Sequence, residues 1–443
     1  MARPNRTAAS ALAVGLALSW VSPAMAQRID ELENQLAQTQ ASAAAATSAA
    51  SEAKTAAAEA AKAPAVQASW KGAPEFKGEG GWSFKPRGRL QLDAGLISRP
   101  AGITDKSTGF SNEVRRAYIG FDGTLPGGFG YRAEIDVANS GNIDVTDMYL
   151  TYAASKEVTL TLGQHKPFWS MEELTSDLFT SFTERAAMDT AFGFERRLGA
   201  SLAYAKGPLL VQAGAFTDNL NDLNANDENN SWSVDGRVVF MPKLGDAQLH
   251  IGASAHHREL EDSSSGVRYR VRPLIHSADI RFIDTGVVNA TAETGYGLEL
   301  GYLSGRFHAV GETRWQQVDR LGGPNPTFFG GYAELGYFLT GGDARGYKNG
   351  TYDRTRPKNP VGKGGIGAVE LNLRYDRLDL SDAGIVGGKQ AGYQIGVVWT
   401  PTDYTRFLLN YGWMQYTKAF IPAAGGDRSY GVDAIGMRAQ FDF

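Results

Sequence analysis

The stretch Gly431-Val432-Asp433-Ala434-Ile435-Gly436-Met437-Arg438-Ala439-Gln440-Phe441-Asp442-Phe443 decides the fold. Ile435, Met437, Ala439, Phe441 and Phe443 fall on one face of an extended strand, and Gly436, Arg438, Gln440 and Asp442 on the other. The terminal phenylalanine and the continuous apolar face match the closing strand of an outer-membrane barrel. Earlier segments repeat the pattern. Phe407, Leu409, Tyr411 and Trp413 oppose Arg406, Asn410 and Gly412, while Ala391, Tyr393, Ile395, Val397 and Trp399 oppose Gln390, Gln394 and Gly396. Ala117, Ile119 and Phe121 oppose Arg116, Tyr118, Asp122 and Thr124. Aromatic residues cluster near the ends of the apolar faces, as girdles at two lipid–water boundaries require. The opposite faces carry charges that a dry core would not tolerate.

Counting back from the last strand gives sixteen, near 85–98, 113–125, 129–138, 144–154, 157–165, 194–205, 208–217, 231–240, 247–257, 294–303, 306–318, 328–339, 365–380, 389–400, 404–416 and 431–443. An even count puts both termini on the periplasmic side, and sixteen strands leave an aqueous channel. The tight connections at Pro126-Gly127-Gly128, Lys206-Gly207, Ser304-Gly305 and Pro401-Thr402-Asp403 then share that side. Residues 340–364 do not fit: they form a long connection on the short-turn side. Either a strand is miscounted or a periplasmic segment folds against the barrel mouth.

The predicted architecture is thus an all-β, 16-stranded antiparallel transmembrane barrel over 85–443, preceded by three other segments. Arg3 and Arg6, the apolar run from Ala8 to Val21 and Ala24-Met25-Ala26 read as a secretory signal over 1–26, cleaved after Ala26. Residues 27–63 read as a periplasmic helix. Ile29, Leu32 and Leu36 have a coiled-coil rhythm, the remainder is Ala-rich, and Pro64 ends it. Residues 64–84 are a linker. Without Arg3 and Arg6 there are 42 Lys+Arg against 48 acids, a net charge of −6, which argues against a nucleic-acid partner. Any anion preference must therefore be local. Cysteine is absent, so a closed hydrogen-bonded barrel must supply the stability that disulfides would otherwise give.

Several motifs in fixed order carry a resemblance. They are Trp82 to Gln91, Arg115-Arg116-Ala117-Tyr118-Ile119-Gly120, Glu173-Leu174-Thr175-Ser176 with Glu184-Arg185, Gly336 to Gly341, Arg356-Pro357-Lys358-Asn359-Pro360, Glu370-Leu371 and Arg374 to Leu380. Together they resemble the phosphate-selective porin O and P family from about residue 70 onward. The resemblance implies a homotrimer of sixteen-stranded barrels, loops folded into the lumen and basic residues conducting anions. It also implies an inward-folded periplasmic connection, which accounts for 340–364.

On that basis the anion path is expected to include Arg115, Arg116, Arg268, Arg270, Arg272, Arg356 and Lys358. By alternation Arg116 faces the lumen and Arg115 lies near the outer end of its strand. Arg268, Arg270 and Arg272 share one face of an extended loop, where successive guanidiniums can pass an anion on without trapping it. Their bland alternative is a solvated rim against lipopolysaccharide. The third loop, 166–190, is the expected constriction, with Glu172, Glu173, Glu184 and Arg185. Glu173 stands where phosphate-specific members carry lysine, and an unpaired carboxylate there repels phosphate. Asp136 and Asp144 read equally as pore-lining or structural acids.

Asp218 to Asn230 lacks the glycine and terminal glutamate of a calcium loop, and His256 and His257 point to opposite strand faces, so no metal site is expected. No catalytic motif appears; His165 is the one rim candidate for an enzyme, and neither an enzyme nor a cofactor is expected. The expected function is passive diffusion of small hydrophilic solutes, preferably anions such as phosphate, in contact with outer-membrane lipid. The alternative is a structural protein that tethers the membrane to the cell wall through its N-terminal helix, which would reach roughly 50 Å.

Overall fold

The computed structural model describes residues 22–60, 66–138, 142–223, 230–262 and 264–443. Most of the expected signal segment, residues 1–21, and the end of the expected helix, 61–63, lie outside these, as does 224–229 of the Asp/Asn-rich loop. The chain divides into two units at Ala65/Val66.

The first unit contains helix α1, Pro23–Ala60. It begins ahead of the expected cleavage point, because Ala24-Met25-Ala26 are good helix formers and nothing breaks the run. Ile29, Leu32 and Leu36 are exposed along it.

The second unit is a closed antiparallel barrel of sixteen strands. The first eight are β1 Ser83–Ile97, β2 Gly109–Leu125, β3 Phe129–Asp136, β4 Asp144–Ala153, β5 Val158–His165, β6 Arg197–Lys206, β7 Leu209–Phe216 and β8 Trp232–Phe240. The others are β9 Ala247–Glu259, β10 Ala290–Ser304, β11 Phe307–Arg320, β12 Thr327–Phe338, β13 Ala368–Asp382, β14 Ile385–Thr402, β15 Thr405–Thr417 and β16 Tyr430–Asp442. All sixteen expected strands are present. β16 closes on β1 from Ala434↔Ile97 to Asp442↔Arg89. Phe443 continues the ladder, donating its N–H to the Gly88 carbonyl at 3.0 Å. Glycine at 88 leaves room for this residue, since a Cβ would sit 2.5 Å from the Phe443 ring and the ring would have to shift. Along β16, Ile435, Met437 and Phe441 are exposed on the outside, while Arg438, Gln440 and Asp442 are buried in the lumen. The alternation read from the sequence therefore assigns the two faces correctly.

Within the expected linker, the described residues carry strand structure. Gln67–Trp70 and Pro74–Lys77 form a hairpin whose second arm pairs with the start of β1 through Phe76↔Phe84. The barrel wall is uneven: β3 to β8 have 8 to 10 residues each, whereas β9 to β16 have 12 to 18. Short turns and both barrel termini share one end, the periplasmic end in bacterial barrels. Residues 339–367 connect β12 to β13 at this same end, and no strand was miscounted. Gly346–Lys348 and Thr351–Asp353 form a hairpin around Asn349 (φ 51°) and Gly350 (φ 74°). Two left-handed residues in a two-residue loop are the type I′ geometry that Asn-Gly favours. The hairpin folds inward. Its Gly350 carbonyl accepts from Arg237 at 2.8 Å, and its Tyr347 hydroxyl meets His250 Nδ1 at 2.7 Å.

Candidate functional site

The connection from β5 to β6, residues 166–196, is the third loop, and it lies inside the barrel. Its first turn, α2 (Met171–Leu174), is capped by the Ser170 hydroxyl, which accepts from Glu173 N at 3.0 Å. The free N–H groups of Met171 and Glu172 each donate to the Glu312 carboxylate at 2.8 Å, so an acid on β11 satisfies the positive end of the turn. Arg374 on β13 ion-pairs with Glu172 and, at 2.6 Å, with Glu334. Asn410 on β15 accepts from Thr183 N at 3.0 Å, and Arg406 donates to the Thr180 carbonyl at 2.9 Å. The second turn, α3 (Ala187–Phe192), packs on β12 where Gly330 makes room; a Cβ there would lie 2.4 Å from that of Met188. The loop-end connection 260–289 fills the adjoining space with Leu274, Ile275 and Phe282, all buried. Loops thus occupy the side of the tall strands, and open space remains along β1 to β7.

That space consists of two chambers. The inner one, at the periplasmic end, has a volume of about 670 Å³, and the outer one about 560 Å³. Lys166, Asp177 and Arg196 line both and so mark the neck between them. Asp177 is held by Arg89 and by Arg116 Nε at 2.8 Å. Burial alone would raise its carboxyl, but these guanidiniums hold it well below the usual carboxylate range. Arg196 pairs with Asp147, which also faces Arg132 at 3.6 Å. Seven cationic side chains line the inner chamber against three carboxylates, Asp147, Asp177 and Asp353. The acids concentrate in the outer chamber, among them Asp136, Asp144 and Glu195.

Lys166 pairs with Glu173 at 2.8 Å, and Glu173 also meets Arg185 at 3.4 Å. Burial would raise the Glu173 carboxyl; Arg185 and Lys166 lower it instead. Glu173 is therefore a compensated charge, and the repulsion expected of a lone carboxylate does not arise. Burial, with Arg185 beside it, pushes the Lys166 ammonium down to about 8. Its charged form prevails below that value and its neutral form above. The neck therefore loses one positive charge between pH 7 and 9, and the anion-to-cation permeability ratio should fall across that window. Reversal potentials measured over the pH range check this; Lys166→Arg should flatten the profile, and an equal fall in that variant would rule Lys166 out.

The remaining expected residues divide. Arg115 lines the outer chamber rather than lying at the strand's outer end. The β1–β2 ladder steps from Gln91↔Arg116 to Leu92↔Val114, so Arg115 is the extra residue of a β-bulge and turns inward beside Arg116. There it binds Glu184 at 2.9 and 3.2 Å. Burial would raise the Glu184 carboxyl, but Arg115 and then Arg438 hold it well below its usual range. Arg185 lines the outer chamber and ties the loop together through the Glu172 and Thr175 carbonyls. Glu172 does not face the path, since its carboxylate is spent on Arg374 and Ala186 N. Of the three alternating arginines only Arg272 reaches a chamber; Arg268 is clasped by Asp284 at 2.6 Å, and Arg270 is exposed. Arg356 and Lys358 lie exposed at the periplasmic rim, where Arg356 meets Asp403 at 3.1 Å, and line neither chamber. Lys348 and Arg354 of the same connection do line the inner one. Asp136 caps the Ala117 and Ala138 N–H groups while lining the outer chamber. His165 bonds Ser201 at 2.7 Å within the lumen, not at the rim, and His256 and His257 do lie on opposite faces.

Sequence reasoning missed Arg89, Arg132, Lys166, Asp177 and Arg196 as a group. The alternation Tyr131-Arg132-Ala133-Glu134 marks Arg132 as lumenal, but nothing local shows that a distant loop brings Asp177 to Arg89.

A closed barrel with an apolar exterior and a charged, loop-narrowed lumen defines an outer-membrane channel. The family of phosphate-selective porins O and P matches residues 84–443, and the chain belongs to it. A relative from Caulobacter vibrioides, itself an uncharacterized protein, is 47% identical over 369 residues, covering 82% of this chain and 74% of its own. Among solved structures the barrel is similar to an anion-selective porin of Comamonas acidovorans (13% identity, TM-score 0.52, 82% of this chain and 100% of that one). It is also similar to OprB of Pseudomonas putida (11% identity, TM-score 0.52, 82% and 95%). A third likeness is to OmpT of Vibrio cholerae in its trimer form (12% identity, TM-score 0.51, 82% and 100%). The family and fold are those of a porin in the outer membrane of a Gram-negative bacterium, and of a channel rather than an enzyme.

Proposed function

We propose that this porin conducts small hydrophilic solutes passively with a preference for anions such as phosphate, as a homotrimer. The observation that carries the preference is the neck. Lys166 and Arg196 border it, paired with Glu173 and Asp147 in turn, while Arg185 also meets Glu173 and two arginines hold Asp177. An anion crossing it meets cations first, and beyond it a chamber with more cations than carboxylates. The trimer is supported by the low wall. A strand of 8 residues, tilted as barrel strands are, spans roughly 20 Å, less than an apolar band of about 25 Å. A neighbouring copy set against β3 to β8 would cover the shortfall. The tethering alternative rests on α1 alone, whose described side chains are exposed and carry one ion pair, Arg28–Glu31. Planar-bilayer recording in a potassium chloride gradient tests the preference. The reversal potential is expected on the chloride side, with openings in groups of three; a potassium-side value overturns the preference and leaves the fold standing.

A further inference from the structure

Helix α1 carries an apolar face left uncovered by the other described residues of its unit. Ile29, Leu32 and Leu36 are 48%, 51% and 58% exposed. Their spacing sets a seven-residue repeat, with Ile29 and Leu36 at its first position and Leu32 at its fourth. The repeat continues without a break. Thr39 follows, and then Ala43, Ala46, Ala50, Ala53 and Ala57 take each further first and fourth position. The six polar residues between Ala43 and Ala57, namely Thr47, Ser48, Ser51, Glu52, Lys54 and Thr55, all fall elsewhere on the helix. The register that Ile29, Leu32 and Leu36 fix is therefore kept by a stretch they do not constrain. A strict seven-residue repeat winds helices around one another with a left-handed twist. Thr39 is the one polar residue on this seam, and its hydroxyl is satisfied within the helix by the Gln35 carbonyl at 2.7 Å.

The charges beside the seam select the partner. In a parallel, in-register pair the seventh position of one helix lies against the fifth position of the next repeat on its neighbour. That sets Arg28 of one copy against Glu33 of a second copy, opposite in sign. The other such pairings, Gln35 with Gln40, Ser42 with Thr47 and Ala49 with Lys54, bring no like charges together. Within its own helix Arg28 meets Glu31 at 2.7 Å, an exposed pair whose exchange for Glu33 costs little. Alanine contributes one methyl group per position, so the seam holds weakly by itself. Chains already joined through their barrels meet at high effective concentration, and there a weak seam closes.

We propose that residues 29–57 of three copies wind into a parallel, in-register coiled coil. This rests on the homotrimer reading and gives its N-terminal helices a partner, further copies of themselves.

The chain has no cysteine, so a single introduced one reports alone. In the full-length protein in membranes, Ala46→Cys probes the seam and Ser48→Cys the outer face of the helix. On mild oxidation Ala46→Cys should form disulfide dimers that stop at two chains in three, because the third thiol of each trimer has no partner left. Ser48→Cys should react about tenfold or more slowly, since side chains there point apart. Should Ala46→Cys fail to be exported, Ala53→Cys probes the same seam. Arg28→Glu should slow the seam disulfide, and Glu33→Arg added to it should restore the rate; a rate that is not restored overturns the parallel alignment. Native mass separates the two readings. Equal rates at 46 and 48 in an intact trimer, or no disulfide at 46 and 53, overturn the coiled coil alone. A monomeric or dimeric particle overturns the homotrimer on which it rests.

Discussion

Replacing Arg374 by methionine is expected to release the third loop from the barrel wall and to raise single-channel conductance. Arg374 is almost fully buried, and its guanidinium lies between Phe182 and Tyr332 at 4.5 and 4.9 Å while pairing with Glu172 and Glu334. Around these sit Glu312, which takes the α2 N–H groups, and Asp189, which accepts from Ser170 at 2.6 Å. Burial, and then the Glu172 carboxylate, already push the Asp189 carboxyl well above its usual range. Arg374 is thus the cation paired with two of these four acids, Glu172 on the loop and Glu334 on the wall. Breaking a buried pair by removing one partner costs about 3–5 kcal/mol, because the other charge is left uncompensated. Glu172 belongs to a loop and Glu334 to a strand, so the cheaper relief is for Glu172 to leave with the loop. Two measurements check this: conductance should increase and the urea midpoint should fall. Adding Glu172→Gln to Arg374→Met should recover part of the stability, a coupling that a double-mutant cycle isolates. Unchanged conductance in Arg374→Met would show that the remaining contacts, such as Thr183 to Asn410, hold the loop by themselves.

This anchoring also explains what could be read from the sequence. Strands are written locally: alternation in segments such as Phe407 to Trp413 names the lipid face, and all sixteen followed from it. Turns are equally local. Asn349-Gly350 between Tyr347 and Tyr352 is a strong short-range hairpin signal, and it marks the inward hairpin within the one connection that broke the pattern. The channel path is not local. Glu172 and Arg374 are 202 residues apart, and Arg89 and Asp177 are 88 apart. Whether an arginine serves the path or a carboxylate is set by such pairs, and no spacing rule encodes them. Arg115 shows the other obstacle. Strict alternation turns it outward, and one extra residue in the ladder brings it back. Glu173 was legible as a carboxylate at a constriction, but its neutralisation by Lys166 and Arg185 depends on the loop's fold.

The neck makes the sharpest claim about selectivity. Lys166→Gln with Arg196→Gln removes both cations that border the two chambers, while Arg89 and Arg116 still hold Asp177 and Arg132 still faces Asp147. The carboxylates nearest the neck keep a partner, so the lumen should stay folded. A unit charge about 4 Å from a permeating ion is worth roughly 1 kcal/mol in bulk water and about 4 kcal/mol near a protein surface. Two such charges in a water-filled but loop-narrowed lumen fall between these limits, and the anion-to-cation permeability ratio should drop by about tenfold or more. Arg356→Gln with Lys358→Gln removes the same formal charge from the periplasmic rim. The Arg356 side chain is 70% exposed there, and ions screen such a charge over about 10 Å at 0.1 M salt. This second variant should leave the ratio nearly unchanged. The reverse result, with the rim pair controlling the ratio and the neck pair not, would move the selective element from the third loop to the periplasmic mouth. The contrast depends only on where each pair sits along the lumen, because both variants remove two positive charges.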